Sequence, residues 1–257
     1  MRRPGLGAVP ASRCPPRRGP QSGPSRCSVP LGGSAVSSYQ LALQQLTDSA
    51  LPTGAFAHSL GFETYVEAGV VADEAGFGVW LSAFISQSLT YSDGLAIRLF
   101  YEGVDLGELD ALFSASLLSR QVREASLKMG SRLLEIGAEV FPSPELELYR
   151  DLVATGRAAG HQPLAFAVVA RSLGVPQQEA LAAYLFATVT TLTQNAVRAI
   201  PLGQNAGQRV LRKAHDDVAA AINRIARLTP DDFGAVSPGL EISQMRHERQ
   251  RARMFMS

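Results

Sequence analysis

Phe77-Gly78-Val79-Trp80-Leu81-Ser82-Ala83-Phe84-Ile85-Ser86-Gln87-Ser88-Leu89 is the stretch that decides the fold. Its large apolar side chains, Phe77, Trp80, Leu81, Phe84, Ile85 and Leu89, fall at i, i+3, i+4, i+7, i+8 and i+12. That spacing lines one face of an α-helix, whereas in a strand it would scatter over both faces. Asp73, just upstream, is a suitable N-cap. The same rhythm returns in Met129, Leu133, Ile136 and Val140, and again in Leu211, Ala214, Val218, Ala221, Ile222, Ile225 and Leu228. Gly174-Val175-Pro176 reads as a helix stop followed by a start, and Thr229-Pro230-Asp231-Asp232 sets a cap before a first-turn proline. No segment alternates as a strand does. The pattern predicts an all-α chain: a single helical-bundle domain of roughly eight to ten helices joined by short loops.

Composition supports one sizeable core, with 46% hydrophobic residues in a chain of 257. Residues 1–37 are rich in Pro, Gly, Ser and Arg and read as a disordered leader, because such a stretch cannot bury enough apolar surface to offset chain entropy. Residues 38–236 form the expected helical domain, and residues 237–257 a C-terminal docking helix and tail. The formal net charge is +1, and the leader holds six arginines and no acid, which leaves residues 38–257 at −5. A mildly acidic body argues against binding nucleic acid, which rests on a basic face that releases counterions. Both cysteines, Cys14 and Cys27, sit in the leader, so no disulfide or thiolate metal site braces the body; a reducing, cytoplasmic location fits.

Ala75–Ser92 and Ala180–Val197 each run 18 residues without a charge. Their load of Ser, Thr, Gln and Asn suits buried helix contacts rather than a membrane span. The helix expected from Pro176 to about Ile200 is nearly uncharged all round, which places it at the centre of the bundle or at a homodimer interface.

Signatures of catalysis are missing. The body's two lysines, Lys128 and Lys213, do not follow glycine-rich loops, so there is no P-loop, and Gly76-Phe77-Gly78 lacks the third glycine and the strand of a dinucleotide fingerprint. His58, His161, His215 and His247 have no second ligand at helical spacing, which argues against a built-in metal site. No G-x-S-x-G elbow and no body cysteine offer a nucleophile. These readings predict a protein without catalytic residues, resident metal or cofactor.

Three polar constellations stand out instead. Residues 51–63, Leu-Pro-Thr-Gly-Ala-Phe-Ala-His-Ser-Leu-Gly-Phe-Glu, hold a Pro-x-Gly turn leading into a helix expected to carry Ser59 and Glu63 one turn apart, with Gly61 admitting a close neighbour. Residues 198–209, Arg-Ala-Ile-Pro-Leu-Gly-Gln-Asn-Ala-Gly-Gln-Arg, break two long helices with a run of amides. Residues 247–257, His-Glu-Arg-Gln-Arg-Ala-Arg-Met-Phe-Met-Ser, join three arginines to an aromatic and two methionines. Two readings of this tail are open from composition: a docking peptide that orders on a partner, or a segment that packs Phe255 against its own body.

In order and content these three segments resemble the F-type urease accessory proteins. That family's pattern runs Asp-x-x-x-Pro-x-Gly, an aromatic, x-His-Ser-x-Gly-x-Glu, then Pro-Leu-x-Gln-x-x-Gly-Gln, then His-Glu and a close on Arg, aromatic and Ser. The resemblance covers residues 39–257. It implies an all-α, non-catalytic scaffold that dimerises, binds the D-type (H-type) urease accessory protein, and recruits the nickel-binding G-type GTPase to apo-urease for nickel insertion, nickel passing only transiently. It decides the tail for docking through Arg253 and Phe255. The residues expected to meet partners are Phe56, His58, Ser59 and Glu63, then Arg198, Gln204, Gln208 and Arg209, then His247, Glu248, Arg253 and Phe255. Phe56 stands where Tyr is frequent, so no phenol hydroxyl is available there, and Met254 stands where Leu is common. The rival reading is a helical ligand-binding regulator or a small-molecule enzyme with a pocket between helices.

Overall fold

The computed structural model describes residues 37–234 and 237–257; the leader expected at the N-terminus, with Cys14 and Cys27, lies almost wholly outside them. Among the described residues eleven α-helices follow one another and no strand occurs. They are α1 (Ser38–Thr47), α2 (Phe62–Glu67), α3 (Glu74–Phe84), α4 (Leu95–Tyr101), α5 (Leu106–Ser116), α6 (Arg120–Val140), α7 (Pro144–Ala154), α8 (Gln162–Ser172), α9 (Gln177–Ala199), α10 (Gln204–Ile225) and α11 (Pro238–His247). A π-helical stretch, Ile85–Gly94, joins α3 to α4 without a break, so the count of separate rods falls within the expected range.

The stripe that opened the sequence is buried throughout: Phe77, Trp80, Leu81, Phe84, Ile85 and Leu89 all belong to the core. Phe62 of α2 stands edge-on to Phe77 with centroids 5.2 Å apart, and Trp80 stacks on Phe84 at 5.3 Å, an aromatic cluster worth more than its area alone. Asp73 caps α3 by accepting from Gly76 N at 2.8 Å. Two stripes end earlier than expected. Val140 is exposed at the last turn of α6, and Leu228 lies beyond the end of α10, where it still packs partly buried against the core. Thr229 does make a capping box with Asp232, but it heads a single 3₁₀ turn, Pro230–Asp232, not an α-helix.

The centre of the bundle belongs to α8. Every residue from Pro163 to Ala170 is buried, and α8 packs against α4, α6, α7 and α9. The uncharged α9, expected at the centre of the bundle or at a homodimer interface, packs on α1, α4, α8 and α10: one face is buried through Ala180, Leu181, Tyr184, Leu185, Val189, Leu192 and Ala196, while Phe186, Ala187, Thr190 and Gln194 are partly covered. Its threonines satisfy themselves, Thr188, Thr190, Thr191 and Thr193 each donating to the carbonyl four residues earlier at 2.8–3.0 Å. No helix among the described residues is long and apolar enough to cross a membrane.

Glycine sets one contact that nothing else fits. A Cβ on Gly130 of α6 would lie 2.0 Å from Gly160 O and 2.8 Å from Gln162 N, so α6 rests on the backbone that leads into α8. Since backbone cannot rotate away, Gly130→Ala is expected to destabilise the fold by about 2 kcal/mol or more in chemical denaturation. Gly78→Ala in α3 has open space around it. There the gain in helix propensity should leave stability unchanged or raise it by up to about 1 kcal/mol.

Candidate functional site

The first and third constellations meet, and part of the second joins them. After α11 the chain has no regular structure, yet Phe255 is only 4% exposed and Ser257 only 2%. The segment packs on its own body, where residues 57–63 supply the hydrogen-bond partners that an irregular backbone needs. Ser257 O accepts from Ser59 Oγ at 2.6 Å, from Leu60 N at 3.1 Å and from Ser59 N at 2.5 Å. Met256 N donates to Ala57 O at 2.7 Å, and the Ser257 hydroxyl pairs with His58 Nδ1 at 2.8 Å.

Glu63 holds the other end of the segment. Its carboxylate accepts from Met254 N at 2.5 Å, from Phe255 N at 3.0 Å and pairs with His247 Nε2 at 2.9 Å. His247 is buried, and its other ring nitrogen meets Gln121 Oε1 at 2.8 Å. Ser59 is not on a helix with Glu63 as expected: α2 starts at Phe62, and the preceding residues Leu60 (φ 52°) and Gly61 (φ 94°) both adopt left-handed backbone. That turn aims the Ser59 and Leu60 N–H groups at one oxygen, and for a leucine it costs on the order of 1 kcal/mol, offset by the bonds it permits. At Gly61 a Cβ would meet Gln244 Cγ at 2.7 Å and Leu240 Cδ1 at 3.2 Å, so the close neighbour is the side-chain face of α11.

From the second constellation only Arg198 arrives. Its guanidinium sits 5.4 Å from the Phe255 ring centroid and donates to Phe56 O at 3.5 Å, bridging the first and third segments. Gln204 and Gln208 are exposed on α10, and Arg209 pairs with Glu74 at the start of α3 through two bonds of 2.5 and 3.1 Å. Glu248 pairs at 3.2 Å with Arg120, a surface contact of small energetic weight. His58, Ser59, His247 and Phe255 are therefore buried inside the chain's own lock, whereas Arg198 and Arg253 face solvent with Met254 (53% exposed) and Met256 (55%). Sequence reading missed Asn195, which donates to His58 O at 2.8 Å, Gln244, which donates to Leu60 O at 3.1 Å, and Gln250, which donates to Thr64. Spacing gives no signal for such bonds, since their partners lie far away in the chain.

A second polar cluster braces the frame. Buried Asp110 of α5 accepts from Tyr149 Oη, Ala159 N (2.6 Å), Gly160 N (3.1 Å) and His161 N (3.3 Å), pinning the α7–α8 connection. Burial and the neighbouring carboxylate push the Tyr149 phenol well above its usual range. His161 bridges Ser114 and Ser126 at 2.6 and 3.1 Å. Tyr184 Oη of α9 donates at 2.7 Å to Asp93 in the π stretch, and burial raises the carboxyl's pKa. A cavity of about 280 Å³ opens between α1, the 51–60 loop, α6, α8 and α9, with His58, Met129 and Phe166 among its walls. Among the described residues no three His, Cys, Asp or Glu side chains converge as metal ligands.

These features define a class by architecture, an all-α bundle whose separated sequence motifs converge on one surface patch around its C-terminal segment. The UreF family model matches residues 71–215, more than half of the chain. The chain is 82% identical over 224 residues to the urease accessory protein UreF of Arthrobacter sp. (strain FB24), covering 87% of this chain and 100% of that protein. It is 78% identical to the UreF of Paenarthrobacter aurescens (strain TC1), covering 85% and 98%, and 42% identical to that of Bacillus sp. (strain TB-90), covering 84% and 98%. The chain belongs to the UreF family of urease accessory proteins.

The two core histidines give the frame a pH signature. Burial, with Lys128 adding, pushes His58 down to about 4, and burial, with Arg123 adding against an opposing Asp110, pushes His161 down to about 4. The unfolded chain takes up these protons near the ordinary 6.5 and the native state does not, so the native state binds fewer protons over this window. Stability should fall as pH drops from 6.5 towards 4, by on the order of 2 kcal/mol for each histidine. Denaturation midpoints measured across that window check it, and His58→Gln should flatten the slope.

Proposed function

We propose that this chain acts in urease maturation as a non-catalytic scaffold that binds the D/H-type accessory protein and brings the nickel-loaded G-type GTPase to apo-urease. The observation that carries this reading is the patch at the C-terminal segment. Exposed Arg198 and Arg253 stand with exposed Met254 and Met256 over a buried lock, so cations and polarisable apolar groups are offered on a backbone already fixed in place. Arg and large adaptable side chains carry much of the energy at protein interfaces, and an ordered segment loses less entropy on docking than a flexible one.

Nickel is the cargo. It takes nitrogen, sulfur and oxygen ligands readily and is held back from competing sites when it moves between docked proteins. Directionality comes from the GTPase, whose nucleotide-dependent shape change is a chemistry for which this sequence carries no P-loop. The exposed amides Gln204 and Gln208 are assigned to a second contact, on α10. The partly covered, uncharged face of α9 around Phe186 is assigned to homodimer formation, and the chain to the cytoplasm. A helical small-molecule binder is the second reading, favoured by the cavity beside His58. Ligand-dependent thermal shifts or turnover by the purified chain alone would support that alternative.

Arg253→Ala should weaken the complex with the D/H-type partner by about 2 kcal/mol, a hot-spot loss, with the melting temperature of the free chain unchanged because the side chain lies outside the core. Titration calorimetry and a melting curve on one preparation measure both, and undiminished affinity would overturn the assignment. Gln208→Ala should leave fold and D/H-type binding intact while lowering the yield of nickel-loaded urease in co-expression.

A further inference from the structure

Of the four methionines among the described residues, Met129 is buried in α6 at 5% exposure, while Met245, Met254 and Met256, at or beyond α11, are 43%, 53% and 55% exposed. The described residues include no cysteine, and the single tryptophan, Trp80, is buried. The three thioethers are therefore the most readily oxidised side chains on the described surface. Met245 stands on α11. Met254 and Met256 flank buried Phe255, and each is fixed at its main chain, Met254 N donating to Glu63 and Met256 N to Ala57 O. Their side chains stand outside that lock, on the surface that also exposes Arg198 and Arg253. A change at sulfur alters this outward face and leaves the buried contacts of Phe255 and Ser257 intact.

We propose that Met254 and Met256 form a reversible oxidation site through which a peroxide weakens docking of the accessory partner. The proposal rests on the reading that this patch is the docking face. Hydrogen peroxide is the oxidant. A sulfur lone pair attacks one peroxide oxygen, the O–O bond breaks as the S–O bond forms, and water leaves after proton transfer, so thioether and peroxide become sulfoxide and water. A reductase using a dithiol reverses the step, returning the thioether, one water and a disulfide. The product differs from the thioether where recognition is sensitive. A sulfoxide is polar and accepts hydrogen bonds, so an apolar pocket that takes the thioether must desolvate an oxygen it cannot pair. The guanidiniums of the same patch are donors, and a sulfoxide oxygen competes for them with acceptors on the partner.

The test uses the full chain with the D/H-type accessory protein as probe. Under hydrogen peroxide, peptide mass spectrometry should show sulfoxide at Met254 and Met256 accumulating at least about tenfold faster than at Met129, which reacts only when the core opens. The oxidised chain should bind the partner at least about tenfold more weakly with an unchanged melting temperature, and sulfoxide reductases for both epimers should restore affinity. Met254→Leu combined with Met256→Leu removes both sulfurs and keeps Met245, Cys14 and Cys27. Whatever the starting affinity of that variant, peroxide should take none of it away. An equal loss there would put the effect at another residue and overturn the proposal, as would undiminished affinity in a parent chain fully converted at both positions. Met254→Gln combined with Met256→Gln sets a polar side chain of similar length at each position and should bind as weakly as the oxidised chain, without peroxide; parent-like affinity in it refutes the proposal. Undiminished affinity in Arg253→Ala instead defeats the docking reading on which the proposal stands.

Discussion

A segment without helix or strand can be buried only where something else satisfies its backbone, and that requirement organises this molecule. Residues 254–257 find their acceptors and donors in residues 57–63: the Glu63 carboxylate for two amides, Ala57 O for a third, and Ser59 and Leu60 for the Ser257 main-chain oxygen. Each neutral bond is worth only about 1 kcal/mol net, but each group left unpaired and buried would cost more. The arrangement also explains the backbone of the first motif, since Leu60 and Gly61 hold left-handed conformations that make sense only with an oxygen to receive the N–H groups they aim.

The rest of the bundle holds that patch still. Long helices α6, α9 and α10 give the rigid frame, with α8 at its centre, and Gly130 lets α6 approach the backbone entering α8 more closely than any side chain would allow. Buried Asp110 is matched to three amides and a phenol and His161 to two serines, while Asn195 donates to the carbonyl of His58 and leaves its own Oδ1 without a protein partner. Such networks specify one arrangement because their members lose heavily in any other. His58 and His161 stay neutral as part of that economy, and the same burial that keeps them uncharged ties the frame to near-neutral pH.

A scaffold of this design separates two tasks that a flexible docking peptide would combine. Ordering costs are met within the chain by residues 57–63, and recognition is left to side chains that need only pair: Arg198, Arg253, Met254 and Met256. That division accounts for the mixture in the tail of buried and exposed residues at alternate positions. It accounts as well for the invisibility of the lock in composition, where Phe255 and Arg253 look alike as interface residues and turn out to face opposite ways.

The sequence by itself determined the helices, because periodicity reports which face of a local element must leave water, and the stripe from Phe77 to Leu89 has only one solution. It also determined the motifs and their order, which carry the family resemblance. Only the tertiary structure decided what the motifs do to one another. That Glu63 reaches Phe255 across 192 positions, that Arg209 turns away to Glu74, and that α8 is covered by four other helices are facts about distance in space. Hydrogen bonds between remote segments leave no period in the chain, and their strength depends on angles and burial that arise only when the whole body closes around them.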